Sequence, residues 1–399
     1  MVTFLMPSKR TILFSSLMCL FVWMPLAKAN GEAVYIGTYT GPKSQGIYYA
    51  QFDEKTGALS KPELAAVTKN PSFLAIHPNH KFLYAVNEVS DFAGKRSGAV
   101  SAFAIDRRSA KLTLLNQRKT GDGPCHLSID KAGKKILVAN YGGGSVQVLS
   151  IKPDGQLAES NPIDSVNGKS QSPLPFIQHL GSSANPQRQA GPHAHFILAD
   201  SPNRFALVCD LGLDKVFAYP FDDKAGTLNP KNTAVLSMPP GSGPRHLAFH
   251  PSGKYAYVIN EMASTVTACS YDSHSGKLEL IDTVSTLPAD FKGQSTCAEV
   301  QVHPAGHFVY GSNRGDDSIA LLEIDSKSGG LKFIDRQPTR GKTPRHFTIS
   351  PNGKWLLCGN QDSDNISIFG IAPETGRLTF SGNTAEVGAP VCIVFGDAR

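Results

Sequence analysis

Apolar positions along this chain come in short alternating bursts, and the bursts come in pairs across a Pro/Gly turn. Gly243–Glu261, GPRHLAFHPSGKYAYVINE, shows the pattern most clearly. LAF alternates with period 2, HPSGK supplies the turn and YAYVI alternates back, which predicts a β-hairpin. Arg245 and Glu261 lie eight residues either side of Gly253. An antiparallel hairpin folded there sets the two side by side at its open end.

The hairpin recurs as PSFLAIHPNHKFLYAVNE from Pro71, PCHLSIDKAGKKILVANY from Pro124 and AHFILADSPNRFALVCDL from Ala194. It returns as CAEVQVHPAGHFVYGSNR from Cys297 and PRHFTISPNGKWLLCGNQ from Pro344. A half-copy, PVCIVF from Pro390, lacks its second strand, and AVYIGTY, Ala33 to Tyr39, offers the missing partner. Each hairpin is followed by a third strand, a repeated turn (DEKTGAL, DDKAGTL, DSHSGKL, PETGRL) and a fourth strand. Four strands per unit, spaced by roughly 45–55 residues, predict an all-β, seven-bladed β-propeller with four-stranded antiparallel blades. The last blade is closed by strands from both termini, which leaves no open edge. One interval is longer, through an insertion at residues 154–191 that is expected over the channel mouth.

In a propeller the first strand of each blade lines the channel. The start of strand one and the end of strand two therefore share one face of the ring. Strand one brings Ser72, Cys125, His195, Arg245, Ala298, Arg345 and Val391 there. Strand two brings Glu88, Tyr141, Leu211, Glu261, Arg314, Gln361 and Tyr39. Two acids, three arginines and a histidine converge on what is expected to be a solvent-filled mouth, and this reads as a ligand site. The plainer alternative is that Arg245 and Glu261 only tie two strands together. His126, His246 and His346 recur one position further on and read as structural hydrogen bonds within their blades. His77, His250 and His303 are turn residues. Gly142–Gly144 lacks the lysine of a phosphate loop and is a turn. The inserted segment carries His179, Arg188 and His193, and a long loop over a regular ring reads as functional.

Composition adds an address and removes some partners. Lys9 and Arg10, the apolar run Thr11–Met24 and Ala27-Lys28-Ala29 read as a secretory signal peptide, residues 1–29, ahead of one propeller domain, residues 30–399. The protein is thus expected to be exported, periplasmic or secreted, and free of the membrane after cleavage. Lys9, Arg10 and Lys28 leave with the leader, which takes the formal charge of the 399-residue chain from +6 to +3. So small and scattered a charge gives no case for nucleic acid. The chain is expected to act as a monomer. Six cysteines remain in the mature chain, with no C-x-x-C, and read as buried free thiols. Among the mouth positions only Glu88 and Glu261 are acids, on non-adjacent blades, which is too few oxygen ligands for calcium. No metal and no cofactor are expected. There is no G-x-S-x-G and no credible Ser-His-Asp set.

GPRHLAFHPSGKYAYVINE, SNRGDDSIALLEID and NPQRQAGPHAHFILADSPNRFALVCDLGLDKVFAY resemble the lactonase family of seven-bladed propellers, over essentially the whole mature chain. That family includes a bacterial 6-phosphogluconolactonase and fungal carboxy-muconate lactonizing enzymes. The resemblance implies a metal-free site of His195, Arg245, Glu261 and Arg314, all four already picked out as mouth positions. Its implied chemistry is hydrolysis of a sugar-acid lactone. The arginines would bind the anion and oxyanion, and Glu261 or His195 would act as base. Glu88, Tyr141, His193, Arg345, Gln361 and Arg188 are the candidate substrate-binding residues. The alternatives are an exported non-catalytic propeller holding an anionic ligand or a partner protein, and a lactone-forming cycloisomerase of the same family.

Overall fold

Tight turns join short strands into seven antiparallel sheets. The computed structural model describes residues 1–5, 31–94, 96–159 and 175–398 of the chain. Most of the leader, with its cleavage signal, lies outside the described residues. The innermost strands run Leu74–Ile76, Pro124–Ile129, Ala194–Ala199, Pro244–Phe249, Thr296–Val302, Pro344–Ile349 and Pro390–Ala398, and we number the blades 1 to 7 in that order. Each innermost strand packs against the next, and the last packs against the first, so the ring is closed. Blade 7 carries Pro390–Ala398 inside and Glu32–Thr38 beside it, paired antiparallel from Glu32↔Ala398 to Thr38↔Pro390. Both chain ends therefore form the seam. The inserted segment also supplies regular structure: Phe176–Gln178 is the fourth strand of blade 2.

Seven apolar clusters hold the ring, one between each pair of neighbouring blades. Period-2 alternation divides each strand between two of them. In Tyr255–Asn260, Ala256 and Val258 enter the cluster shared with blade 3, and Tyr257 and Ile259 the one shared with blade 5. Both faces of each second strand are buried, so these strands read as almost continuous apolar runs. Polar stitches cross the same interfaces. The hydroxyls of Tyr84, Tyr257 and Tyr310 donate to the carbonyls of Gly155, Gly329 and Gly376 in the next blade. Those glycines belong to the repeated turn before strand four. Gly376 has φ +67°, and a Cβ there would lie 2.7 Å from the Phe308 ring of blade 5, so the turn requires glycine. His77, His250 and His303 are more than turn residues. Their Nε2 atoms bond the carbonyls of Gly133, Gly306 and Gly353 one blade along.

The innermost strands depart from a plain hairpin. In six blades the register slips by one residue at the mouth end. In blade 4 Pro244 opposes Asn260, but His246 opposes Ile259, which leaves Arg245 as the extra residue of a β-bulge. A bulge turns two successive side chains towards the channel. The second member of each pair closes it. Phe73, His126, Phe196, His246 and His346 form a contiguous ring system, with His126 centred 4.2 Å from Phe73 and 4.3 Å from Phe196. The mouth is thus floored rather than solvent-filled. All three histidines bond to a neighbouring blade, and His246 also accepts from Arg245 of its own blade. His126 and His346 accept the Ile197 and Ile393 amides, and His246 Nδ1 meets Glu299 at 2.9 Å.

Burial holds these imidazoles neutral, His126 and His246 well below the ordinary range and His346 down at about 3. A base with a depressed folded pKa stabilises the fold above its unfolded value near 6.5. That contribution is lost as the pH falls. Each histidine then costs about 1.4 kcal/mol per pH unit. Glu299, raised by burial to about 8, works the other way between about 4.5 and 8 but is outnumbered. The thermal midpoint should therefore drop steeply from pH 7 to pH 5. The slope should be shallower by one proton in His346→Phe. Equal slopes in the two proteins would contradict this.

Candidate functional site

Four side chains meet above the floor, delivered by two blades and the inserted segment. Arg245 comes from the bulge of blade 4, Glu261 from the end of its second strand and Arg314 from the equivalent point in blade 5. Arg188 comes from the loop that precedes blade 3. The Glu261 carboxylate accepts from Arg188 Nη2 at 2.6 Å and Arg245 Nε at 3.0 Å, and ion-pairs with Arg314, whose Nη2 lies 2.9 Å away. Arg245 is 2% exposed and Glu261 5%. Burial alone would raise the Glu261 carboxyl, but Arg314, Arg245 and Arg188 outweigh it and hold it at about 2. Burial and the neighbouring Arg314 and Arg345 lower Arg245 to about 10. Arg245 Nη1 also donates to the Ala298 carbonyl at 2.7 Å, and Arg314 Nη2 to the Cys297 carbonyl at 2.8 Å. Among the described residues no partner takes Arg245 Nη2, and Arg314 Nε is buried without one.

Beside this cluster a narrow cavity of about 10 Å³, room for about one water, is lined by Ser72, Glu88, Cys125, His195, Arg245 and Arg345 among others. His195 is the bulge residue of blade 3 and 5% exposed, and its Nδ1 has no hydrogen-bond partner. Burial, then Arg245, Arg345 and Arg314, keep it neutral. Arg345 is the bulge residue of blade 6. It lies over the Tyr39 ring at 5.3 Å and makes no ion pair among the described residues. Burial is the largest influence on it and lowers it, yet Tyr39, Glu88 and Glu261 together raise it above the ordinary value. Glu88 accepts from the Ser72 hydroxyl at 2.5 Å and the Tyr39 hydroxyl at 3.0 Å. Cys125 is fully buried, and burial raises its thiol, so it is no nucleophile.

The loop carrying Arg188 is held firmly. Gln189 is fully buried and bonds the Leu211 carbonyl, and Ser183 bonds Asp214. His179 sits between Asp210 at 2.6 Å and the Tyr219 hydroxyl at 3.0 Å. The other oxygen of Asp210 takes the His193 amide, and His193 stacks on Tyr141 with ring centres 4.4 Å apart. His195 meets the same Tyr141 ring nearly at right angles, with ring centres 5.5 Å apart. Gln361 donates its amide to the neighbouring Asp362, and its buried Oε1 has no partner among the described residues. Sequence reading passed over Glu299. One step beyond the mouth positions the repeat reads Phe73, His126, Phe196, His246, Glu299, His346 and Cys392, and a lone acid in that series was the available signal. All six cysteines of the described residues are buried and unpaired.

Fold and site together put the chain among the seven-bladed propeller enzymes. It belongs to the lactonase, 7-bladed beta-propeller family, whose pattern matches residues 33–395. A 6-phosphogluconolactonase of Bacillus subtilis is 38% identical over 362 residues, 90% of this chain and 97% of the relative. One from Formosa agariphila is 33% identical, over 86% of this chain and 94% of its own. Among solved structures, a periplasmic gluconolactonase of Pseudomonas aeruginosa superposes with TM-score 0.81 at 31% identity, covering 92% of this chain and 99% of its own.

Because Glu261 is buried under three guanidiniums, Glu261→Gln should be a stability variant as well as a functional one. Breaking a buried ion cluster from one side costs roughly 3–5 kcal/mol. A carboxyl with a lowered folded pKa stabilises above its unfolded value near 4.5, and the effect is lost towards about pH 2. The melting gap between wild type and Glu261→Gln should thus be large at pH 7 and close below pH 4. A gap that stays constant across that range would show that the charge is not responsible.

Proposed function

We propose that the protein is exported and hydrolyses a sugar-acid lactone at this mouth. One observation carries the reading: a neutral imidazole with an unpartnered Nδ1 shares a cavity with two guanidiniums that have donors to spare, Arg245 and Arg345. Glu261 is the poorer base because its carboxylate is already occupied by three guanidiniums. Its role is to hold Arg188, Arg245 and Arg314 in one place. His195 is the better base. Its basicity is suppressed by burial and by positive charge, and that second influence weakens once an oxyanion forms between the arginines.

The steps balance. His195 takes a proton from water as the oxygen attacks the lactone carbonyl. Arg245 and Arg345 donate to the tetrahedral oxyanion. The ring C–O bond then breaks, and the protonated His195 returns its proton to the departing oxygen, which becomes a hydroxyl. The new acid ionises beside the guanidiniums. At the other side of the cavity Glu88, with Ser72 and Tyr39, offers an acceptor-rich wall suited to sugar hydroxyls, and Tyr141 with His193 adds an aromatic face. The family and its 6-phosphogluconolactonase and gluconolactonase members support lactone hydrolysis as the activity.

The test is acid release in a pH-stat from a panel of neutral and phosphorylated aldonolactones, corrected for spontaneous opening. His195→Asn should lower kcat by roughly 10²–10⁴ with little change in KM. Arg345→Met should lower kcat/KM by roughly 10²–10³ and weaken aldonate binding. No turnover of any lactone, with intact aldonate binding, would favour a binding platform instead. Export is tested separately, by sequencing the N-terminus of protein recovered outside the cytoplasm. It should begin at Asn30, and an intact Met1 would overturn the assignment.

A further inference from the structure

The floor of the mouth contains one acid, and its surroundings give it a task that packing does not need. At the equivalent position blades 1, 3 and 7 place Phe73, Phe196 and Cys392, so an apolar side chain suffices to plug the channel. Blade 5 places Glu299 there, 6% exposed. Its Oε2 accepts from His246 Nδ1 at 2.9 Å and lies 3.6 Å from His346 Nε2. His246 Nε2 in turn accepts from Arg245 Nη1 at 3.3 Å. The same Nη1 donates to the carbonyl of Ala298, the residue next to Glu299. The inner strand of blade 5 thus grips the Arg245 guanidinium twice, once by its backbone and once through an imidazole. The remaining N–H groups are aimed by this grip and by Glu261.

We propose that Glu299 is a positioning residue of the site: acting through His246 it fixes the plane of the Arg245 guanidinium, and its own charge state is felt at the mouth. Burial, opposed by Arg245, pushes the Glu299 carboxyl up to about 8. The charged and titratable groups facing it are Arg245 and His246 from blade 4, His346 from blade 6 and Cys392 from blade 7. His126 and His195 stand one ring further off, against His246. The imidazoles are held neutral and burial raises the Cys392 thiol, so Glu299 is the member of this group that changes charge between pH 7 and 9. When it ionises, a second carboxylate, beside Glu261, offsets the charge of Arg245. The arginine then stabilises an oxyanion less well.

The activity arm of the test rests on the lactonase reading; a second arm does not. With glucono-δ-lactone, background-corrected, wild-type kcat should fall as the pH passes 8. Glu299→Gln keeps an acceptor for His246, so kcat at pH 7 should stay within about threefold while the alkaline fall disappears. Glu299→Leu removes the acceptor. It should lower kcat at least tenfold at every pH, with KM within about threefold. An alkaline limb retained in Glu299→Gln, or full kcat in Glu299→Leu, would overturn the proposal. The second arm follows the Arg245 Nε–H resonance by ¹⁵N NMR from pH 6 to 9 without substrate. It should show an inflection near 8 in wild type and none in Glu299→Gln. The same inflection in both, or none in wild type, would overturn the proposal even if no lactone is turned over. An inflection of the expected kind without turnover would sink only the lactonase reading.

Discussion

One extra residue at the start of six of the seven innermost strands makes the site. A regular antiparallel pair would send Arg245 and His246 to opposite sides of the sheet. The bulge sends both towards the channel axis, one above the other. Repeated round the ring, this builds two layers from one device: an upper tier with His195, Arg245 and Arg345, and a lower tier with Phe73, His126, Phe196, His246, Glu299 and His346. The lower tier keeps water out from below. The upper tier is left facing a small, largely desolvated space, where charges act more strongly than at an open surface.

Such a space is hostile to four arginines unless something offsets them. Glu261 does so by ion-pairing with three, and the Ala298 and Cys297 carbonyls take further donors. The offset is incomplete by construction. Arg345 rests on the face of Tyr39 rather than on a carboxylate, and a cation over an aromatic ring keeps most of its donors. Positive potential therefore remains where the cavity is. It depresses His195 in the resting site and would release it as negative charge arrives. This is the differential stabilisation that catalysis needs.

The repeat was legible because period-2 alternation and Pro/Gly turns are local properties. They revealed the blades, the seam between Ala33–Tyr39 and the final strand, and the mouth positions of His195, Arg245, Glu261 and Arg314. The bulge was not legible. It changes a register by one residue without a signature in composition, and so the mouth looked like an open channel and the floor went unseen. The role of Arg188 was only half visible. Its place on the insertion was clear, but its bond to Glu261 depends on Asp210, Asp214 and Gln189 pinning the loop, contacts that join residues up to 73 positions apart. The three floor histidines read correctly as structural; the expected bond within the blade holds only for His246, to Arg245, and the other bonds reach the neighbouring blade.

The division of labour round the ring follows from the same geometry. Blades 4, 5 and 6 and the inserted loop hold all four guanidiniums of the mouth. Blades 7, 1 and 2 hold Tyr39, Ser72, Glu88 and Tyr141. A ligand spanning the opening therefore meets donors on one side and hydroxyls and a carboxylate on the other. Under the proposed reading this sets its direction, with the carbonyl towards the arginines and the polyol towards Glu88. A partner protein resting on the rim would not reach Arg245, Glu261 or His195, which all lie 5% or less exposed beneath it. The depth of the site, more than its charge, argues for a small molecule.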